Sequence, residues 1–191
     1  MANTSDIKNG LCIVLNNDIY TVLEFLHVKP GKGAAFVRTK LKSLTKDKQI
    51  DHTFNAGVKI NVVRVERRPY QFLYKDGTGY NFMHTETFEQ IAIEQSLINT
   101  PQFLKEGQHV EVLYYTDENI VLSCELPVSV TLQINYTEPG IKGDTATKSL
   151  KPATLETGVE IRVPLFINSD DFVKIDTRTG LYVERVTEQK K

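Results

Sequence analysis

The chain has 191 residues, 40% hydrophobic and 25% charged, which excludes a disordered or fibrous protein and allows one ordinary domain or several small ones. Its longest apolar runs, such as Leu11 to Leu15, are far too short to cross a bilayer. The polar opening Met1-Ala2-Asn3-Thr4-Ser5-Asp6 lacks the basic-then-apolar pattern of a secretion signal, so a cytoplasmic protein with no membrane partner is expected. The formal net charge of −1 hides an imbalance. Residues 1–64 hold ten Lys and Arg against five Asp and Glu, and the remainder holds thirteen against nineteen. A basic first third on an acidic remainder points to a polyanion approached by one end. Cys12 and Cys124 sit among aliphatic neighbours and read as small core residues. The four histidines are isolated from one another and from cysteine, so no metal site and no cofactor is expected.

In chain order, short alternating runs rich in β-branched and aromatic residues recur: Tyr20 to Val28, Ala35 to Leu41, Lys59 to Val65, Tyr70 to Tyr74, Val110 to Tyr115, Val128 to Tyr136, Val159 to Ile167 and Phe172 to Ile175. Each is bounded by Gly, Pro, Asn or Asp, the pattern of strands at close spacing. Asp76-Gly77 between Gln71–Lys75 and Tyr80–His84 predicts a hairpin. The best helical stretch, Ile93 to Leu104, is interrupted by Pro101. An all-β protein follows. Composition breaks at Glu66-Arg67-Arg68-Pro69 and Glu125-Leu126-Pro127 divide the chain into modules 1–65, 66–127 and 128–191. Each is near the lower limit for an independent fold, so three small barrels packed in series are expected.

The most informative stretch is His27-Val28-Lys29-Pro30-Gly31-Lys32-Gly33-Ala34-Ala35-Phe36. Strand-like runs on both sides make it a hairpin with Lys32 at its tip. Pro30 fixes φ on the approach, and Gly31 and Gly33 permit positive φ around Lys32. On the residues alone, a lysine that merely keeps a turn solvated is the ordinary reading. A phosphate-binding loop is excluded, because the spacing and the following Ser or Thr are missing. Downstream, Arg38, Lys40 and Lys42 alternate and so share one strand face. With Lys29, Lys32, Lys46 and Lys48 they form a basic stripe in which Asp47 is the only acid. The stripe suits RNA phosphates, and a solvated barrel face fits it equally.

The stretch Val28 to Arg38 resembles the loop and flanking strand of the elongation factor P family of bacterial translation factors. So do Gly140-Ile141-Lys142-Gly143-Asp144-Thr145-Ala146, Lys151-Pro152-Ala153-Thr154, Val163-Pro164-Leu165-Phe166, and Asp176-Thr177-Arg178-Thr179-Gly180 with Tyr182 and Arg185. Phe82-Met83 and Glu86-Thr87-Phe88-Glu89-Gln90 fit the middle module, and the match runs from near Asp6 to Val186. Departures lie in the third module: Thr147-Lys148-Ser149-Leu150 replaces a glycine-rich stretch, Asp170 a turn glycine, and Leu181 an acid.

The resemblance implies an SH3-like (KOW-type) first barrel followed by two oligonucleotide-binding (OB) barrels in an elongated L. It implies a monomer that docks on both ribosomal subunits between the peptidyl and exit sites and stimulates peptide bond formation, especially at consecutive prolines. Lys32, on its loop of Pro30, Gly31 and Gly33, is then the residue that reaches the CCA end of peptidyl-tRNA and can carry a covalent adduct set by a lysine-modifying enzyme. Lys29, Arg38, Lys40 and Lys42 are expected to contact tRNA or ribosomal RNA. Gly143, Asp144, Thr145, Tyr182 and Arg185 are the candidate RNA contacts of the third module. No catalytic residue is implied, so the protein is expected not to be an enzyme. Two other readings compete. A general single-stranded RNA binder needs exposed stacking platforms on modules two and three, which are net acidic and lack tryptophan. A small hydrolase needs a nucleophile–base pair, and none stands out.

Overall fold

The computed structural model describes residues 2–46, 48–77, 79–139 and 150–187. Among these residues sixteen strands form three sheets. The first contains β1 (Ala2–Asn3), β2 (Cys12–Leu15), β3 (Asp18–Val28), β4 (Phe36–Ser43), β5 (Gln49–Asn55) and β6 (Lys59–Val62), in the order β1-β6-β2-β3-β4-β5. Its ladders are antiparallel. The period-two pattern that suggested strands also orients them. Along β4, Val37, Thr39, Leu41 and Ser43 are buried, while Arg38 and Lys42 face solvent. Val37 and Leu41 join Ile7, Ile13, Tyr20, Val22, Phe54 and Ile60 in one apolar core. Each such side chain contributes about 1.5–3 kcal/mol on burial. Asn16 and Asn17, both at positive φ (51° and 62°), close β2 onto β3 in a two-residue turn.

The second sheet contains β7 (Val65–Lys75), β8 (Tyr80–His84), β9 (Gln90–Ile93), β10 (His109–Tyr115) and β11 (Ile120–Glu125), in the order β11-β10-β7-β8-β9. The hairpin expected at Asp76-Gly77 joins β7 to β8, with the Asp76 N–H donating to the Gly79 carbonyl (2.9 Å). Phe82 is fully buried and packs against Phe72 at 5.3 Å between ring centroids. The composition break at Glu66 to Pro69 lies inside β7 rather than between strands. Arg68 explains how charged residues fit there: its guanidinium lies 4.2 Å over the Tyr114 ring and donates to Asn119 Oδ1 (3.1 Å). The interrupted helical stretch is two short 3-10 turns, Gln95–Leu97 and Pro101–Phe103.

The third sheet contains β12 (Ser129–Thr137), β13 (Leu150–Leu155), β14 (Glu160–Pro164), β15 (Phe172–Asp176) and β16 (Tyr182–Val186), in the order β14-β13-β12-β15-β16. Register shifts at Ile134/Tyr136 and Lys174/Ile175 mark bulges, which bend strands and curl a sheet. Asp170 holds φ of +69° before β15 and donates its N–H to the Ile134 carbonyl (2.8 Å). The turn therefore keeps a glycine-like conformation with aspartate, a residue that tolerates it.

By packing, the chain falls into two compact units, one of residues 1–68 with 112–123 and the other of 69–111 with 124–191. Within the first, Leu113 and Leu122 of the β10–β11 hairpin share a buried cluster with Ile19 and Val63. Within the second, Phe103 is 4% exposed and belongs to the core of the third sheet, beside Val130, Leu132 and Ile175. A Cβ placed on Gly180 (φ +70°) would lie 3.4 Å from Phe103 Cζ. We expect Phe103→Ala to cost about 3–5 kcal/mol in chemical unfolding. Gly180→Ala should cost about 1–2 kcal/mol, since it adds backbone strain to a tight contact.

Candidate functional site

The candidate site begins where a ladder ends. β3 and β4 stay paired out to Val28↔Phe36, and the seven residues between them leave the sheet. The Ala56 N–H donates to the Ala35 carbonyl (2.9 Å), which holds the returning limb. Lys29 through Ala34 are all exposed. Lys32 carries no ion pair or hydrogen bond among the described residues, so its ammonium stands in solvent at the far end of the hairpin. Gly33 adopts φ +109°, as the loop chemistry requires, whereas Gly31 is not at positive φ and a Cβ added there would meet only open space. One glycine, not two, therefore sets the turn.

Arg38, Lys40 and Lys42 do share one face of β4, but the register adds acids that linear sequence hides. Lys40 sits between Glu24 on β3 and Asp51 on β5. Its Nζ lies 3.8 Å from the Glu24 carboxylate. An exposed pair of this kind contributes little to stability, yet it weakens the local field that Lys40 offers an anion. Arg38 lies 5.4 Å from the Phe36 ring centroid and pairs across to Leu26 and Thr53, and Lys42 to Thr21 and Gln49. Those two side chains carry no ion pair among the described residues. The basic stripe is thus strong at Lys32, Arg38 and Lys42 and muted at Lys40.

The other end of the same hairpin is anchored by a network with no signature in the sequence. Asp18 is 9% exposed and accepts hydrogen bonds from the Ser43 hydroxyl (3.0 Å), the Thr45 hydroxyl and the Ile19 N–H (2.9 Å). Burial pushes its carboxyl upward, but the bonds from Thr45, Ser43 and Ile19, with the Lys46 charge, outweigh it and hold the pKa below the ordinary value. The spacing of Asp18 and Ser43-Leu44-Thr45 carries no motif. Only the pairing of Tyr20 with Ser43 brings them together.

In the third module, Tyr182 packs against the core of its sheet, and burial pushes its hydroxyl pKa up. That packing accounts for its position without a ligand. Arg185 lies 5.8 Å from the Phe166 ring centroid and 3.8 Å from the Asp171 carboxylate, on an exposed edge strand. The Asp176 carboxylate accepts from the N–H groups of Arg178 (2.9 Å) and Thr179 (3.0 Å) and so shapes the turn before β16. Gly143, Asp144 and Thr145, with the departure at Thr147 to Ser149, lie outside the described residues. Cys12 is partly buried and Cys124 fully buried, both as free thiols. Burial raises both, Cys124 to about 12, which disfavours the reactive thiolate form. No helix is long and apolar enough to cross a membrane among the described residues.

Three family descriptions cover nearly the whole chain: the elongation factor P KOW-like domain over residues 3–60, the elongation factor P OB domain over 65–122, and the elongation factor P C-terminal domain over 130–185. A protein named elongation factor P from Amoebophilus asiaticus is 62% identical over 186 residues, 97% of this chain and 98% of that one. Elongation factor P 1 of Porphyromonas gingivalis is 56% identical and elongation factor P of Flavobacterium johnsoniae 57%, each over 98% of this chain and the whole of its own. The all-β fold, with its KOW-like and OB domains, and these relatives define a translation factor and not an enzyme. The chain belongs to the elongation factor P family.

The Asp18 network gives a test by pH. Its folded carboxyl lies below the unfolded value of about 3.9, so its stabilising effect is present above that value and is lost as pH falls through the folded one. In Asp18→Asn the acid limb of the stability curve should flatten, and stability at neutral pH should drop by about 1–2 kcal/mol. An unchanged acid limb would show that Asp18 is not held as described. For the loop, Gly31→Ala should leave stability within about 0.5 kcal/mol of the parent. Gly33→Ala should be worse by about 1 kcal/mol.

Proposed function

We propose that this protein binds the ribosome between the peptidyl and exit sites and stimulates peptide bond formation, above all at consecutive prolines, by positioning the CCA end of peptidyl-tRNA with Lys32. The observation that carries the reading is the unpartnered Lys32 ammonium on an exposed loop beyond the last β3–β4 pair. Family membership supports the translational setting. Proline reacts poorly in peptide transfer because its ring restricts how donor and acceptor approach. A bound cation can help without acting as acid, base or nucleophile. It holds the sugar-phosphate backbone of the CCA end in an attack-competent geometry and lowers the entropy lost in reaching it. The loop suits this task because it is thin, with no side chain at residues 31 and 33. A covalent adduct on Lys32, added by a lysine-modifying enzyme, extends the reach by several bonds.

In this reading modules 1–65, 66–127 and 128–191 are the working divisions, acting as a cytoplasmic monomer. Lys29, Arg38 and Lys42 take tRNA or ribosomal RNA phosphates, and Lys40 contributes less because Glu24 and Asp51 face it. Arg185, and Gly143, Asp144 and Thr145, are the contacts assigned to the third module. Lys32→Ala should melt like the parent and fail to relieve stalling when ribosomes translate a run of prolines. Parental rates through such a run would overturn the reading. Intact mass of the natively expressed protein, with peptide mapping around Lys32, tests for the adduct. Ribosome binding measured against salt should lose about 0.7–0.9 of its logarithmic slope in Arg38→Ala or Lys42→Ala, and clearly less in Lys40→Ala.

A further inference from the structure

The β8–β9 connection, Thr85 to Glu89, presents Phe88 at φ +61°. A bulky aromatic at left-handed φ is a genuine outlier that the surrounding structure must enforce. Here it is enforced. The Phe88 N–H donates to the His84 carbonyl (3.0 Å), and the His84 N–H to the Glu89 carbonyl (2.9 Å). The His84 Nδ1 accepts from the N–H groups of Glu86 (3.1 Å) and Thr87 (3.2 Å). The imidazole in turn stands edge-on to Tyr70, 5.0 Å between ring centroids. All of this holds out a side chain that is 68% exposed, more than any other large apolar side chain described, and that joins none of the three core clusters described. Folding does not need an aromatic at this position; glycine would fit the turn with less strain.

The charge around Phe88 says what could cover it. Glu86 and Glu89 flank it and are exposed. Between Lys75 and Lys105 the chain has four acids, Asp76, Glu86, Glu89 and Glu94, and no Lys or Arg. Exposed carboxylates one and two residues from Phe88 repel a phosphate backbone brought within the screening length of about 8 Å at physiological salt. A protein surface with an apolar socket rimmed by Lys and Arg satisfies both the ring and the acids. We propose that Phe88, with Glu86 and Glu89, anchors a protein-docking surface whose partner is a basic ribosomal protein. This rests on the ribosome-binding reading above, and assigns the acidic middle of the chain a partner different from that of the basic hairpin.

Equilibrium binding of the labelled full-length protein to purified 70S ribosomes tests it. Phe88→Gly should melt no lower than the parent yet bind about tenfold or more weakly, the loss expected of a buried aromatic anchor. The double variant Glu86→Lys, Glu89→Lys should also weaken binding, by a similar factor. Tighter binding of that double variant would mean that the loop faces RNA and would overturn the proposal. Parental affinity in both variants would overturn it as well, while leaving the ribosome reading intact. If the parent itself does not bind 70S ribosomes, both fall together. A photo-crosslinker replacing Phe88 should mark a ribosomal protein; a crosslink to ribosomal RNA alone would contradict the assignment.

Discussion

Backbone pairing between β3 and β4 stops at Val28 and Phe36, and beyond it a lysine ammonium stands exposed with no ion pair or hydrogen bond among the described residues. The proposed action of the protein depends on this constraint. A charge that is paired, or laid along its own barrel, would be spent on the fold. This one is not. Stability comes from elsewhere in the hairpin, from the buried row Val37, Thr39 and Leu41 and from the Asp18–Ser43–Thr45 network at its base. The hairpin therefore has a stiff root and a tip free to meet a polyanion. The division of labour follows from burial, since buried polar groups must be satisfied within the protein whereas an exposed cation need not be.

The same contrast recurs in the middle of the chain. Phe103 is an aromatic committed to packing, sunk into the core of the third sheet against Gly180. Phe88, fifteen residues earlier, is an aromatic left exposed at the surface and held in an unfavourable backbone conformation. Hydrophobicity does not distinguish the two. What separates them is the local chain: a proline-initiated 3-10 turn carries Phe103 inward, while a His84-centred turn points Phe88 out. Strain retained at an exposed side chain is the usual mark of a position shaped by binding rather than by folding.

Much of this was legible in the sequence, for identifiable reasons. Period-two alternation in Val37 to Lys42 located β4 and both of its faces, because a half-buried strand writes its geometry directly into residue type. The Pro-Gly-Lys-Gly stretch located the tip. What stayed hidden was whatever depends on register. That Glu24 and Asp51 bracket Lys40 is set by ladders joining residues eleven to sixteen positions apart. Asp18 meets Ser43 across twenty-five positions. Glu66 to Pro69 reads as a composition break because its charges are atypical of a strand, and the Tyr114 ring beneath Arg68, the Asn119 amide oxygen and the Glu66 ion pairs account for their place in β7. Local chemistry is readable from a single chain; pairing partners are not.

The most direct test separates docking from positioning. Single-turnover peptide bond formation between a prolyl donor and prolyl-tRNA, on purified ribosomes saturated with factor, isolates the chemical step from binding. Lys32→Gln keeps a polar chain but removes the charge, so it should bind ribosomes with parental affinity while the rate falls toward the factor-free value. A parental rate at saturation would show that the ammonium at the hairpin tip does not act on the reacting end of the tRNA.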